Sequence, residues 1–523
     1  MILTQQLIVN SAQKLTHPAM RYLGKAILYQ EVLASISKMS YLYLNELGPG
    51  FPQLAQGVTP GQGPSLGIRM ATLCRNSPAW IITFFAITNI RGVLIPIDPD
   101  LPPEEVIPWL KESKATHLAV TSDLVTRARE LLQSERLNLP IIEIEKKHGG
   151  EYATSFTPPA DQIPQESDPV LILRTSGMTD KNKFVQFTHR QLLSGSAILK
   201  GPYHLLSNDA FLTPLNWAHP FAFTHGMLFP VLSGATCVID HGLTSLDFIN
   251  FLIESRVTRL MGTPPLFLKI LLTCKNEKRV LTGVKSITVG LGYLSMELNR
   301  AFELLKISVS HCYGQTENLW TIAMQDTKDI TETYTKGFMG KTLPSLQYKV
   351  LDQAGDTITG RDKRTGPLAL SGPTVMQGYF EKEKATKMVI RGTWLYTGDI
   401  ATLEGEGEEL TLTLLGRNED LYKIGDTYVP FSQIDSVIKT CPMIQDGAAF
   451  AVKNRRNDLV LVCAVVRKPG TQYNEKQFLS FCSENLPNYL LPKAIAFTDS
   501  IPKDLGNNVK VSKLARQFSG LAG

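Results

Sequence analysis

The sequence lacks the features that mark membrane-spanning, secreted and nucleic-acid-binding proteins. Its most apolar run, Ala79 to Ile90, is closed by Arg91 and is only about half the roughly 20 residues that a spanning helix needs. The first twenty residues have no basic segment followed by an unbroken apolar core, so a signal peptide is not expected. With a net charge of +5 and no dense Lys/Arg cluster, nucleic-acid binding is not expected either.

Cysteine motifs are also missing. The chain has seven cysteines, but no two form a CxxC pair, and most lie in apolar surroundings. This pattern is typical of buried, reduced thiols in a protein of the cytoplasm rather than of a disulfide framework or a zinc site.

Length and periodicity predict an α/β protein with a large N-terminal domain and a small C-terminal domain. A chain of 523 residues that is 43% hydrophobic can fill more than one core. Strand and helix patterns alternate over most of the first 400 residues, which favours layered α/β subdomains. Predicted strands lie at residues 66–73, 93–97, 117–121 and 141–144, and predicted helices at residues 79–90, 103–113 and 124–132. The pattern changes near Asp399 to Gly425, so we expect residues 1–417 to form the large domain and residues 418–523 a small α+β domain.

A loop rich in hydroxyl and lysine side chains follows the apolar run Val170 to Leu173. It contains Thr175, Ser176, Gly177 and Thr179, followed by Lys181 and Lys183. Small residues let backbone amides turn toward an anion, while hydroxyls and lysines add donors and charge. The loop does not match the P-loop pattern, and an ordinary solvated turn remains the alternative.

Three further motifs follow in order along the chain: YGQTE at residues 313–317, WLYTGD at 394–399 and GRNED at 416–420. Together with RNSP at 75–78, VLIPIDP at 93–99 and IPK at 501–503, they cover nearly the whole chain. In this order and spacing, the chain resembles the adenylate-forming superfamily of acyl-CoA synthetases, aryl-acid ligases, luciferases and peptide-synthetase adenylation domains. Taken singly, YGQTE and TGD are ordinary turns, and Arg417 with Asp420 is an ordinary surface ion pair.

The resemblance implies a site for ATP and Mg²⁺. In such a site, donors, cations and the metal stabilise the charge that develops during attack on the α-phosphate. The phosphate-binding residues would be Thr175, Ser176, Gly177, Thr179 and Lys183. Thr316 would contact the α-phosphate, and the Glu317 carboxylate would hold Mg²⁺, which prefers oxygen ligands. The adenosine would contact Tyr313, Gly290, Asp399 and Arg417.

The resemblance also implies an acid pocket, a thiol acceptor and a mobile C-terminal lid. Residues 215–234 would form one pocket wall, and apolar Phe221 at the position of an amino-group-binding Asp disfavours an α-amino acid. His219 would lie on the substrate side, although a buried core histidine is the alternative. Lys423 would serve transfer to CoA or to phosphopantetheine on an acyl carrier protein, and an exposed hinge lysine is its alternative. The lid would turn about Glu419.

The chain departs from the family pattern at two places. In the phosphate loop, Asp180, Asn182 and Phe184 replace the usual Gly, Pro and Gly. Near the C-terminus, Asn508 occupies the position of the lysine that bridges the carboxylate and the α-phosphate. Because alternate residues of a strand point to the same side, Lys510 is the expected substitute, with Lys503 and Lys513 as alternatives.

The function predicted is therefore ATP-dependent ligation of an aliphatic or aromatic carboxylic acid to CoA or a carrier-protein thiol through an acyl-adenylate. Two alternatives stay open at this point. One is a degenerate homologue that binds nucleotide or acyl-adenylate without turnover. The other is an adenylating enzyme with an intramolecular second step.

Overall fold

The computed structural model describes most of the chain, in two compact units. Described are residues 1–47, 67–145, 156–159, 163–175, 183–206, 208–240, 242, 245–292, 294–325, 337–352, 354–418, 421–424, 427–456, 458–472, 474–502, 509 and 511–520. The larger unit comprises Met1–Tyr348, Ala369–Leu395 and Glu404–Thr413, and the smaller one comprises Lys349–Leu368, Tyr396–Leu403 and Leu414–Gly523. The expected boundary after Arg417 stays a prediction, and Glu419 lies outside the described residues.

One sheet of the larger unit has six strands, in the order Ile141–Glu143, His117–Val120, Arg69–Leu73, Val93–Ile97, Pro169–Arg174 and Phe184–Thr188. The first five are parallel, and the last is antiparallel to its neighbour. The connecting helices are Pro78–Thr88, Pro103–Glu112 and Val125–Ser134, with a 3₁₀ turn at Ser122–Leu124. Ser77 caps the first of them, since its hydroxyl accepts a hydrogen bond from the Trp80 amide. The apolar run at residues 79–90 is thus a buried core helix.

The larger unit also holds a run of nine strands in a second sheet. Their order is Phe338–Thr342, Ala323–Gln325, Ser308–Tyr313, Ser286–Val289, Arg259–Gly262, Ala210–Leu212, Thr236–Val238, Pro18–Tyr22 and Lys25–Leu28. From Ser308–Tyr313 to Pro18–Tyr22 the strands are parallel. The helices Ser245–Glu254, Pro264–Asn276 and Met296–Leu304 contribute to the core of this sheet. Ligands of open α/β sheets bind beyond the carboxyl ends of parallel strands, and here Gly290 and Tyr313 stand at such ends.

The remaining helices of the larger unit are Leu3–Ser11, Tyr29–Glu46, His189–Ile198, Lys200–Tyr203, Phe229–Ser233 and Glu383–Val389. A π-helical segment spans Ala222–Leu228, and 3₁₀ turns span Thr316–Asn318 and Gly407–Glu409. A short strand, Ile390–Arg391, completes its elements, and four longer strands contain residues of both units: Gln347–Val350, Arg364–Ser371, Trp394–Glu404 and Thr411–Arg417.

The smaller unit is an α+β structure with its own core. An antiparallel pair, Leu421–Ile424 and Thr427–Pro430, precedes a three-stranded sheet of Ile444–Lys453, Leu459–Arg467 and Ala494–Phe497. Its helices are Phe431–Thr440, Glu475–Asn485 and Val511–Gln517, with a 3₁₀ turn at Asn488–Leu490. Buried residues such as Ile434, Phe450, Val462 and Phe478 form the core. The predicted fold class is confirmed.

The seven cysteines are all buried thiols, as the sequence predicted. Among the helices that the structure describes, none is long and apolar enough to cross a membrane.

Candidate functional site

The predicted phosphate loop connects two antiparallel strands. Its described ends are Thr175 and Lys183, and the Thr175 amide donates to the Lys183 carbonyl at 2.9 Å. Ser176, Gly177, Thr179, Asp180, Lys181 and Asn182 lie outside the described residues. Phe184 is fully buried and packs 6.2 Å from the Trp109 ring. The replacement of a small family residue by Phe184 therefore fills the core beside the loop.

The YGQTE motif forms a tight turn at the end of strand Ser308–Tyr313. A Cβ atom added to Gly314 would lie 2.1 Å from Cα of Trp320, so no larger residue fits there. Thr316–Asn318 is a 3₁₀ turn, and the next two residues, Leu319 and Trp320, are left-handed with φ of 59° and 57°. A left-handed conformation costs about 1–2 kcal/mol for each non-glycine residue, so this turn has to be held by its surroundings.

Glu317 is held by a segment from elsewhere in the larger unit. The Tyr379 hydroxyl donates to Oε1 of Glu317 at 2.7 Å, and the Met376 amide donates to the Glu317 carbonyl at 2.8 Å. The ammonium of Lys183 lies 5.2 Å from the centroid of the Tyr379 ring. The structure thus brings two predicted site residues, Lys183 and Glu317, to the same side chain, that of Tyr379.

An aromatic group lies beside the same turn. The Trp320 ring is 5.5 Å from that of Phe221 and 5.8 Å from that of His219. A Cβ atom added to Gly290 would lie 3.0 Å from the Phe221 ring, so the predicted adenine-side glycine and the predicted pocket residue are in contact. Burial lowers the pKa of His219 to about 4, which keeps its ring neutral near pH 7.

His225 joins the turn to the core. Its Nε2 donates to the Trp320 carbonyl at 2.9 Å, and its Nδ1 accepts from the Tyr203 hydroxyl at 2.7 Å. These partners require the neutral tautomer with the proton on Nε2. Burial lowers its pKa to about 4, against an opposing effect of the hydrogen bond to Trp320.

The smaller unit carries the predicted ribose-binding pair. Nε of Arg417 lies 3.2 Å from Oδ1 of Asp399, and Nη1 of Arg417 donates to the Thr397 carbonyl at 3.3 Å. The side chain of Asp399 is 4% exposed while that of Arg417 is 52% exposed. Gly398, directly before Asp399, has a φ of 77°, a conformation that favours glycine. Asp399 lies within strand Trp394–Glu404.

Lys423 lies in strand Leu421–Ile424, opposite Tyr428 of the paired strand, with its ammonium 5.6 Å from the Tyr428 ring centroid. Lys510, Asn508 and Lys503 lie outside the described residues, and Lys513 is exposed on helix Val511–Gln517.

The donors of the larger unit suit a magnesium–nucleotide complex. Glu317 offers hard carboxylate oxygen, which Mg²⁺ prefers. Of its two carboxylate oxygens, only Oε1 has a hydrogen-bond partner within the described part of the chain. Lys183 supplies a cation near the same ring. Hydroxyls of Thr175 and Thr316 add neutral donors of the kind that bind phosphate oxygens.

The sequence interpretation assigned no role to Tyr379, Trp320 or His225. Tyr379 lies in the stretch GPTVMQGYF. The residue pattern of this stretch indicates only strands and turns. Trp320 follows Glu317 by three residues, and that closeness to a predicted site residue was the available signal. For His225, nothing in its apolar segment indicates which groups it contacts.

Comparison with protein families identifies the chain. The model of the AMP-binding enzyme family matches residues 28–380, and the model of the C-terminal domain of AMP-binding enzymes matches residues 433–505. The chain belongs to the AMP-binding enzyme family. The predicted membership of the adenylate-forming superfamily is thereby confirmed.

Relatives of this family member include CoA ligases for different acids. A feruloyl-CoA synthase from an Amycolatopsis species is 23% identical over 96% of each chain. An oxalate–CoA ligase from Arabidopsis thaliana is 23% identical over 85% of this chain and 87% of its own. Among solved structures, the o-succinylbenzoate-CoA synthetase of Bacillus subtilis with ATP and magnesium superimposes with a TM-score of 0.71, at 19% identity over 98% of each chain. The fold is thus that of acyl-CoA synthetases.

Proposed function

We propose that this AMP-binding enzyme is an ATP-dependent acid–CoA ligase that forms an acyl-adenylate. The observation that carries the proposal is the placement of Lys183 and Glu317 about one tyrosine ring, within the segment that matches the AMP-binding model. The two groups come from distant parts of the chain. A lysine cation is suited to bind the phosphates of ATP, and a carboxylate is suited to bind the magnesium ion that accompanies them.

In the first step, a carboxylate oxygen of the acid attacks the α-phosphorus of ATP. The bond to the bridging oxygen of the β-phosphate breaks, and pyrophosphate leaves with the electron pair. Lys183, Thr175 and the loop residues Ser176, Gly177 and Thr179 bind the departing phosphates, and Thr316 donates to the α-phosphate. Mg²⁺, when bound at Glu317, offsets part of the phosphate charge. Lys510 supplies the cation that Asn508 cannot.

The nucleoside is bound by groups from several segments. Tyr313 and Gly290 stand at the ends of parallel strands and contact adenine. The carboxylate of Asp399, already fixed by Arg417, accepts from the ribose hydroxyls. A buried carboxylate that an arginine already orients is well suited to this role, since little of its geometry has to be set on binding.

The acid is aliphatic or aromatic. Phe221 and Trp320 present apolar surface and contact one another, and Phe221 offers no charge for an α-amino group. His219, kept neutral by burial, lies against Trp320 on the substrate side.

In the second step, a thiol sulfur attacks the acyl carbon of the adenylate, the bond to the phosphate oxygen breaks, and AMP leaves. The thiol loses its proton to solvent. CoA is the proposed acceptor, as in the relatives, with phosphopantetheine on an acyl carrier protein as the other thiol of the same chemistry. Lys423 serves this step. The proposed compartment is the cytoplasm, where buried thiols such as those of this chain stay reduced.

Exchange of labelled pyrophosphate into ATP, measured across a panel of acids, tests the first step. We expect exchange with at least one aliphatic or aromatic acid and none without acid. If no acid supports exchange while ATP still raises the melting temperature, the protein is a nucleotide-binding homologue without turnover, and the ligase proposal is wrong. Product masses with and without CoA then separate thioester formation from an intramolecular second step.

A further inference from the structure

The segment around Tyr379 is anchored to the strand that comes after the phosphate loop. Tyr379 forms an antiparallel bridge with Val185, and the Phe380 amide donates to the Phe184 carbonyl at 2.7 Å. The Tyr379 amide in turn donates to the Thr386 hydroxyl at 2.9 Å. The position of the Tyr379 backbone is therefore set by the strand that begins directly after Lys183.

The side chain of Tyr379 connects this strand to the YGQTE turn. Its hydroxyl donates to one carboxylate oxygen of Glu317, and its ring faces the ammonium of Lys183. The residue is largely buried, at 7% exposure, so its ring has little freedom to leave this position. One residue thus contacts a carboxylate and a cation that belong to different elements.

We propose that Tyr379 is a positioning residue for the divalent cation: its hydroxyl orients the Glu317 carboxylate so that Oε2 is directed to the metal of the bound nucleotide. This inference rests on the proposed function. Groups that hydrogen-bond a ligating carboxylate typically change metal affinity or activity by about 10- to 100-fold when they are removed.

A second contact, to the backbone of Glu317, supports the orienting role of the segment that contains Tyr379. Met376, three residues before Tyr379, donates its amide to the Glu317 carbonyl. Residues 376–380 therefore hold the backbone of Glu317 as well as its carboxylate. Because hydrogen bonds hold both its backbone and its carboxylate, the Glu317 side chain has few rotamers available. A metal ligand requires such a defined geometry.

The test is Tyr379→Phe, which keeps the ring beside Lys183 and removes only the hydroxyl. We expect the free Mg²⁺ concentration for half-maximal pyrophosphate exchange to rise about 10-fold, while kcat at saturating Mg²⁺ and KM for the acid stay within about twofold. A second readout without turnover is Mn²⁺ binding in the presence of a non-hydrolysable ATP analogue, followed by electron paramagnetic resonance. Its dissociation constant should rise by the same factor.

Tyr29→Phe is the matched control. The Tyr29 hydroxyl is buried and donates to the carbonyls of Val231 and Ala235 at 3.0 and 2.7 Å. This variant should lose thermal stability without any change in metal dependence. A Tyr379→Phe variant that behaves in the same way would overturn the inference.

A double-mutant cycle with Glu317→Gln tests whether Tyr379→Phe changes metal affinity through Glu317 or by another route. If Tyr379 acts through Glu317, adding Tyr379→Phe to Glu317→Gln should change metal affinity by less than about twofold. Additive effects would reject the inference even though the ligase proposal stands. Absence of exchange in the unaltered protein would instead reject the proposed function, so the two failures are distinguishable.

Discussion

The Tyr203 hydroxyl donates to Nδ1 of His225 at 2.7 Å, deep in the larger unit. Because Nε2 of the same ring donates to the Trp320 carbonyl, His225 stabilises the left-handed turn that comes after Glu317. Burial lowers the pKa of His225 to about 4, so the folded protein keeps this ring neutral at a pH where the unfolded chain, with a histidine pKa near 6.5, binds a proton.

Acid should therefore destabilise the larger unit. The contribution of neutral His225 to the free energy of unfolding is fully present above about pH 6.5. It falls as the pH drops toward 4, and at pH 5 the free energy of unfolding is lower by about 2 kcal/mol. His225→Gln keeps a donor and an acceptor but does not titrate. We expect it to be less stable than the unaltered protein at pH 8 and to lose less stability between pH 8 and pH 5, as measured by urea denaturation. His204→Asn, at an exposed left-handed position, is the control and should behave like the unaltered protein.

In the smaller unit, titration of Asp435 should raise the free energy of unfolding as the pH falls, whereas titration of His225 lowers it in the larger unit. Burial raises its pKa to about 6, although the Ala449 amide donates to it at 2.6 Å and opposes the shift. The folded protein then takes up a proton between about pH 6 and 4 that the unfolded chain does not, so stability rises as the pH falls through this range.

Asp435→Asn keeps the acceptor for the Ala449 amide and removes the charge. At pH 8 it should stabilise the smaller unit by up to about 3 kcal/mol, and the gain on acidification should disappear. Hydrogen exchange of the amides in strand Ile444–Lys453 measures both effects. Exposed Asp499→Asn should change neither, and a destabilised Asp435→Asn variant would contradict the prediction.

Asp399→Asn tests the ribose site. It retains the shape of the side chain but weakens hydrogen bonds that depend on charge, which contribute about 1.5–3 kcal/mol each. KM for ATP should rise about 10- to 100-fold, with KM for the acid little changed. Asp209→Asn is the control, because buried Asp209 lies 2.9 Å from Arg259 in an ion pair of the larger unit. It should lower the melting temperature and leave KM for ATP unchanged.

Lys510→Ala tests the substitution inferred from Asn508. Adenylate formation should fall by at least about 100-fold, since a cation at the α-phosphate stabilises the transition state directly. Thioester formation from chemically prepared acyl-adenylate should remain within a few-fold of normal. Exposed Lys513→Ala provides the comparison. If only Lys513→Ala abolishes adenylation, the assignment of Lys510 is wrong.

The sequence predicts most of the fold because its signals are local. Strand Val93–Ile97 has the predicted bounds, and the helix predicted at residues 103–113 spans Pro103–Glu112. Both are bounded by charged, glycine or proline residues and have continuous or periodic apolar patterns. Motif order also predicted the family correctly.

The contacts that shape the site are not local, and the sequence does not reveal them. Tyr379 reaches Glu317 across 62 positions of the chain, and His225 reaches Trp320 across 95. No periodicity encodes such pairs. The pairing of Arg417 with Asp399 likewise depends on how two strands lie beside each other.

The π-helical segment Ala222–Leu228 has a consequence for chain length. At its end the Phe229 amide bonds to the Thr224 carbonyl five residues back, whereas an α-helix makes this bond four residues back. Such a turn accommodates one extra residue between fixed ends. Removing one residue here would restore the α-helical hydrogen bonds while the residues before and after the turn keep their places. A difference of one residue in the length of Ala222–Leu228 is thereby taken up within the turn, and the contacts of His219 and Phe221 with Trp320 are kept.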